Sequence, residues 1–105
     1  RKSTLTEVAT DLTKNIPIDN DVYNFTTKKH FAVMFYTKRP VIQVEGEMDN
    51  SKNKLPATIY VIAGDKKPFK ITKDPAFYKW EPLSELLSNK DGDEFKSWKG
   101  TQRTP

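Results

Sequence analysis

The run Ala57-Thr58-Ile59-Tyr60-Val61-Ile62-Ala63 predicts a buried β-strand, because β-branched and aromatic side chains pack well on a pleated surface. A polar loop over residues 49–56 precedes this run, and Gly64 ends it. A second run, residues 30–37, is apolar on both of its alternating faces, which predicts a central strand covered on both sides. These two runs make β-structure the basis of the fold.

Shorter segments on either side of these runs show the same β-character and are bounded by turn residues. They lie at residues 21–26, 41–48, 69–73 and 76–81. Proline, glycine and aspartate between them, as in Asp74-Pro75, supply turn conformations. The regular spacing predicts a mainly β fold, namely a small antiparallel β-sandwich or partly open barrel, built as a meander of about six strands.

The N-terminal segment, residues 4–13, is compatible with two secondary structures. Thr4 and Glu7 have the spacing of a helical capping box, and apolar residues follow at helical spacing. The threonines of this segment are β-branched, however, and their stiffness lowers helix propensity. The sequence therefore favours a strand here and leaves a helix as the alternative.

The C-terminal part predicts one short helix followed by a tail. Pro82 suits the first position of a helix, leucines follow at helical spacing, and Gly92 suits its end, so residues 82–90 are predicted to be helical. Residues 91–105 are charged and sparse in apolar side chains, which predicts a polar, mobile tail or linker. Residues 1–90 are then a single β-rich domain.

Composition excludes most chemistry. The chain has 105 residues, no cysteine and one histidine, so it has no thiolate nucleophile, and His30 alone cannot form a multi-histidine metal centre. The acidic pair Glu45 and Glu47 falls on a solvent-facing strand face, and further acidic residues fall in the predicted tail. Such carboxylates lack the burial that acid and base catalysis requires. We therefore expect no enzyme, no catalytic residue, no cofactor and no bound metal.

The formal net charge of +4 raises the question of an anionic partner. The basic residues Lys66, Lys67, Lys70 and Lys73 gather beside predicted turns, where lysine protects strand edges. They are also the candidate basic surface of an alternative function, a small basic β-barrel that binds single-stranded nucleic acid. No apolar run approaches the roughly 20 residues that cross a bilayer, so we expect a soluble protein without a membrane span.

Tyr78, Trp80 and Trp98 are the candidate partner-binding residues. Each lies at or near the end of a predicted element, where an aromatic side chain either closes the end of a sheet or anchors a partner. The sequence thus predicts a non-enzymatic module that binds a protein through a strand edge or an aromatic patch. The identity of the partner, the oligomeric state and glycosylation of Asn24 in the sequon Asn24-Phe25-Thr26 stay open.

Several motifs along the chain also follow an order known from a protein family. They lie at residues 4–12, 20–26, 31–37 and 56–61, at Phe69-Lys70 and at Tyr78-Lys79-Trp80-Glu81. In this order they resemble the FAINT domain, a module frequent in secreted proteins of Theileria and related piroplasm parasites. The resemblance implies a β-rich module of a larger protein that is secreted or exported into the host cell, with no catalytic residues to transfer. The start at Arg1 instead of methionine fits such an excised domain.

Overall fold

A computed structural model describes residues 4–25, 39–48, 55–64, 68–88, 92 and 94–103. In chain order the elements are the helix α1 (Leu5–Thr13), the strands β1 (Val22–Phe25), β2 (Val41–Gln43) and β3 (Thr58–Ala63), a 3-10 turn (Pro68–Lys70), and the strands β4 (Tyr78–Pro82), β5 (Leu87–Ser88) and β6 (Glu94–Gln102). The fold is therefore mainly β, as the sequence predicted, and its one helix among the described residues is N-terminal instead of C-terminal.

The strands form one mixed sheet, which is open rather than closed over the described residues. Its order is β2-β1-β3-β6-β4, and β5 pairs with β6 beyond the end of β4. β1 runs parallel to both β2 and β3, whereas β6 runs antiparallel to β3, β4 and β5. This arrangement differs from the predicted antiparallel meander, because the spacing of strands along a sequence does not encode the direction in which they pair.

α1 is a helix because Thr4 and Glu7 cap its first turn reciprocally. The Glu7 backbone N–H donates to Thr4 Oγ1 at 3.2 Å, and the Thr4 N–H donates to Glu7 Oε1 at 3.1 Å. Val8, Ala9 and Leu12 lie on one side of the helix and are almost completely buried. The strand favoured for residues 4–13 is therefore wrong, since the cap and this buried stripe outweigh the low helix propensity of threonine.

Backbone carbonyl groups at the C-terminal end of α1 accept hydrogen bonds from Arg39. Its guanidinium donates to the carbonyl oxygens of Ile16 at 2.6 Å, Pro17 at 2.8 Å and Thr13 at 3.1 Å. The Thr13 and Pro17 carbonyl groups also accept hydrogen bonds from the backbone N–H groups of Ile16 and Asn20, so Arg39 adds a second donor to each. Its positive charge also complements the dipole at the helix end. Arg39 thus joins the residues before β2 to the helix.

The sheet carries a different apolar cluster on each face. The helix face is defined by the buried residues Val8, Ala9, Leu12, Ile16, Val22, Tyr60, Ile62 and Phe95. The opposite face, called the aromatic face below, is defined by Val44, Ile59, Val61, Ile71 and Tyr78, with Tyr23, Phe25, Phe77 and Trp80 packed against them. β3 contributes to both clusters because its side chains alternate between the two faces.

The helix predicted for residues 82–90 is wrong, because residues 82–88 follow the edge of the sheet. Pro82 ends β4, residues 83–86 form a bulge, and Leu87 resumes pairing opposite Phe95. Leu83 and Leu87 pack against the helix-face cluster, but Leu86 is 52% exposed. A helical stripe would have buried all three leucines together.

The tail predicted for residues 91–105 is wrong for Glu94–Gln102, which is β6. This strand pairs with β3 on one side and with β4 and β5 on the other. Its buried positions are Phe95, Ser97 and Gly100, and only the first of these is a hydrophobic side chain. Small residues suffice at the other two because neighbouring strands supply the apolar contacts.

Two other predicted strands differ in extent, and one lies outside the described residues. Of residues 41–48, only Val41–Gln43 form a strand, while Met48 makes an isolated bridge to Thr72. Residues 69–73 begin in the 3-10 turn instead of a strand. The strand predicted for residues 30–37 lies outside the described part of the chain.

Replacing Phe95 by alanine tests whether β6 belongs to the core. Phe95 is fully buried against α1, so we expect Phe95→Ala to lower the free energy of unfolding by about 3–5 kcal/mol. Urea unfolding measures this change. Glu94→Ala, at an exposed neighbouring position, is the control and should change it by less than about 0.5 kcal/mol. Equal stability of both variants would contradict a buried β6.

Candidate interaction site

β4 is the outermost strand of the sheet on its side, within the described residues. The Arg103 N–H donates to the Phe77 carbonyl, and the Leu83 N–H donates to the Ser97 carbonyl. Backbone groups of an antiparallel pair alternate in direction, so the odd-numbered residues of β4 bond to β6. The N–H and C=O groups of Tyr78 and Trp80 therefore face outward, at the edge of the sheet. Pro82 also faces outward but has no N–H to donate.

Trp80 lies flat on Gly100 of β6. The two residues are directly paired, and a Cβ atom on Gly100 would lie 2.6 Å from Cζ3 and 2.9 Å from Cη2 of the indole. Gly100 is needed because this close approach leaves no space for a side chain. Trp80 is half-buried, so one side of its ring packs on the sheet and the other reaches solvent.

Tyr78 is a core residue, not an exposed anchor. Its side chain is 2% exposed, and its hydroxyl donates to the Pro56 carbonyl at 2.7 Å. The ring packs edge-on against Phe77, with centroids 5.0 Å apart, and lies 5.4 Å from the ring of Trp80. Burial raises the pKa of the Tyr78 phenol, the hydrogen bond with Gln102 lowers it, and nearby Tyr23 raises it.

Trp98 is half-buried on the aromatic face, opposite Pro82. The Lys96 ammonium lies 4.8 Å from the centre of its ring, a cation–π contact. Its Nε1 is buried without a hydrogen-bond partner in the described part of the chain. Tyr78, Trp80 and Trp98 are thus brought onto one face, but only Trp80 and Trp98 retain accessible ring surface.

The charged residues of β4 are functional candidates that sequence reasoning missed. Lys79 and Glu81 are exposed and lie on the helix face, where Glu81 is paired with Lys99 of β6. The alternation of a lysine, a tryptophan and a glutamate in Lys79-Trp80-Glu81 was the available signal. It becomes informative only once this segment is known to be an edge strand.

The predicted basic surface is only partly described. Lys70 ends the 3-10 turn, and Lys73 follows it, both exposed to solvent. Lys66 and Lys67 lie outside the described residues. The part that is described therefore shows two exposed lysines, one in the turn and one shortly after it.

A cleft of about 610 Å³ lies between the end of α1 and residues 82–87. Asn15 bridges its walls by donating from Nδ2 to the Leu83 carbonyl at 2.7 Å. Asp11 and Glu85 line it together with Lys14 and Lys96, so charges of both signs alternate around it. The cleft is open to solvent, and its mixed charge favours no single ligand class.

Asn24 of the glycosylation sequon is fully buried. Its Nδ2 donates to Gln43 Oε1 at 2.7 Å between β1 and β2. This nitrogen is the atom that would carry a glycan. Glycosylation of Asn24 is therefore incompatible with this packing.

The Asp and Glu side chains of the described residues form no group of three that could hold a metal ion. Among the described helical residues, no helix has the length and apolar character needed to cross a membrane. Comparison of the chain with protein-family models, with curated proteins and with solved structures found no match.

Adding a methyl group at residue 100 tests the contact between Trp80 and β6. We expect Gly100→Ala to lower the free energy of unfolding by about 1–3 kcal/mol, because its Cβ would overlap the indole ring. In the Trp80→Ala background the same change should lower the free energy of unfolding much less. A double-mutant cycle of urea unfolding measures this coupling between residues 80 and 100. Thr101→Ala, at an exposed neighbouring position, is the control. Equal costs in both backgrounds would contradict the contact.

Alkaline pH tests the burial of the tyrosines. The raised pKa values of Tyr23 and Tyr78 mean that their stabilising contribution is complete below the ordinary tyrosine pKa of about 10. It is lost as pH rises through the higher folded-state values, since the unfolded chain releases these protons first. We expect the free energy of unfolding to fall above about pH 10.

Tyr78→Phe separates the two roles of this hydroxyl. The variant should lower the free energy of unfolding by about 1 kcal/mol at neutral pH, because the hydrogen bond to the Pro56 carbonyl is lost. It should also make the decrease of this free energy at alkaline pH less steep. Urea unfolding over a pH series gives both quantities. Parallel pH profiles of the wild type and the variant would contradict the raised pKa of Tyr78.

Proposed function

We propose that this chain is a non-enzymatic protein-interaction module that binds an extended segment of a partner protein by adding it as a strand beside β4. The observation that carries the proposal is the outward direction of the Tyr78 and Trp80 backbone groups at a sheet edge, next to a half-buried indole. In strand addition, main-chain hydrogen bonds supply affinity, and side chains on alternate faces supply specificity.

The two faces of β4 offer different contacts to an added strand. Trp80 supplies apolar surface on the aromatic face, while Lys79 and Glu81 supply opposite charges on the helix face. A ligand segment that places an apolar side chain beside Trp80 therefore turns its neighbouring side chains toward these charges. An alternating apolar and charged peptide is the ligand chemistry that fits.

Pro82 limits the length of the added strand. It lies at an outward-facing position and cannot donate to a ligand, while beyond it the chain leaves regular pairing in the bulge. At the other end, the turn at Asp74 and Pro75 precedes β4. The bound segment is accordingly short, about five residues, the usual length of a strand.

A protein ligand is favoured over single-stranded nucleic acid by the positions of the lysines. Lys96 accompanies Trp98 on the aromatic face, whereas Lys79 and Lys99 of adjacent strands lie on the helix face. A nucleic-acid groove needs its basic side chains along the same face as its stacking platforms. Here the charges are divided between both faces of the sheet.

Export within a larger parasite protein is the wider setting that the resemblance to the FAINT domain implies. Export is a separate part of the proposal, because it does not depend on which contacts β4 makes. The sequence beyond both ends of the chain tests it. A signal peptide and further similar modules would support export, whereas a cytosolic enzyme fused on either side would contradict it.

Amide hydrogen exchange tests strand addition. We would select peptides from a displayed library of random linear sequences on the immobilised chain and measure exchange with and without a selected peptide. The outward N–H groups of Tyr78 and Trp80 should exchange at least about tenfold more slowly in the complex. The inward N–H groups of Lys79 and Glu81 bond to β6 already and are the internal control.

Two outcomes would contradict the proposal. One is peptide binding that leaves exchange at Tyr78 and Trp80 unchanged, which would place the interaction elsewhere. The other is a selection without binders while single-stranded RNA binds with an affinity that falls steeply with salt, as counterion release requires. Trp98→Ala serves as the control for Trp80→Ala, because it removes an indole from the same face of the sheet and leaves the indole of β4 in place.

A further inference from the structure

We infer that the partner of the β4 edge is a second copy of this chain, paired antiparallel to the first about Trp80. The inference rests on the proposed function, strand addition at β4, and names the strand that is added. Its basis is the sequence Tyr78-Lys79-Trp80-Glu81-Pro82 combined with the direction of each backbone group.

The hydrogen bonds of this pairing match the outward groups of β4. With Trp80 opposite Trp80 of the second copy, each Trp80 N–H donates to the Trp80 carbonyl across the dyad. Each Tyr78 N–H donates to the Pro82 carbonyl of the second copy. Pro82 has no N–H, so each Tyr78–Pro82 pair lacks the return bond to the Tyr78 carbonyl, and the pairing is held by four main-chain bonds.

The charges select this register over its neighbours. About Trp80, Lys79 of each copy lies opposite Glu81 of the other, which places opposite charges together twice. A shift of the dyad to residue 79 would oppose two lysines, and a shift to residue 81 would oppose two glutamates. Like charges directly opposite each other destabilise a strand pair, whereas opposite charges stabilise it.

The side chains are compatible with a second copy at this distance. The Trp80 ring is drawn inward over Gly100, and the Tyr78 ring is buried in its own sheet, so neither blocks the edge. Lys79, Glu81 and Pro82 are exposed. The pairing is isologous, and it closes as a dimer because each copy uses the same edge.

The dimer is expected to be weak, because it joins short strands over a small area. Interfaces of this kind lie at the low end of the size range of specific complexes. We expect a dissociation constant between about 10 μM and about 1 mM, with association weakening as salt increases. Sedimentation equilibrium over this concentration range measures it.

Charge reversal is the specific test. Lys79→Glu and Glu81→Lys each create two like-charge pairs across the dyad, so each should weaken association at least about tenfold. The double variant Lys79→Glu/Glu81→Lys restores opposite charges and should recover wild-type association at unchanged net charge. Glu45→Lys is the matched control, since Glu45 is exposed in the segment after β2 and far along the sheet from β4. Circular dichroism checks that each variant is folded.

The outcomes are distinct for this inference and for the proposed function. Association that the single variants weaken and the double variant restores supports the dimer. A wild type that stays monomeric at about 1 mM overturns it, as does a dimer insensitive to all three variants. If the monomeric chain still protects Tyr78 and Trp80 when a selected peptide binds, the proposed function stands without this partner. If neither a peptide nor a second copy protects them, both fail.

Discussion

The pairing of β3 with β6 is the interaction on which the rest of the structure depends. It runs from Thr58 opposite Thr101 to Ala63 opposite Lys96 and joins the most apolar described strand to one of the most polar. β1 and β2 attach through β3, while β4 and β5 attach through β6. Without this ladder, the helix face would lose Phe95, and the aromatic face would lose Tyr78 and Trp80.

The same ladder decides where the exposed edge lies. The even-numbered residues of β6 bond to β3, as the Gln102 N–H donating to the Ala57 carbonyl shows, which leaves the odd-numbered residues for β4. This pairing determines which residues of β4 bond to β6. It therefore directs the backbone N–H and C=O groups of Tyr78 and Trp80 outward. Gly100 then allows Trp80 to fold back onto the sheet instead of covering the edge. Backbone register, more than any reactive side chain, therefore defines the candidate site.

Sequence reasoning located the strands with a strong apolar pattern and missed elements held by context. Thr58–Ala63 matches the predicted strand because its β-branched residues need no partner to be recognised. β6 was missed because Ser97 and Gly100 are buried by neighbouring strands and show no hydrophobic signal of their own. The spacing of the leucines in residues 82–87 suggested a helix. In the structure the bulge turns only Leu83 and Leu87 inward. Trp80 and Trp98 were chosen as candidate partner-binding residues, but their position on one face, and that of Lys79 and Glu81 on the other, follows only from the pairing of β4 with β6.

The late position of β6 in the chain has a consequence for biosynthesis. While the ribosome is still adding residues 94–102, the apolar side chains of β3 have emerged without the strand that pairs with them. Chains synthesised at about 5–20 residues per second thus spend several seconds with this strand edge uncovered. The order of the sheet is complete only after β6 has left the exit tunnel, because β4 and β5 reach β3 through β6. A chaperone that shields β3 during that interval would raise the yield of folded protein.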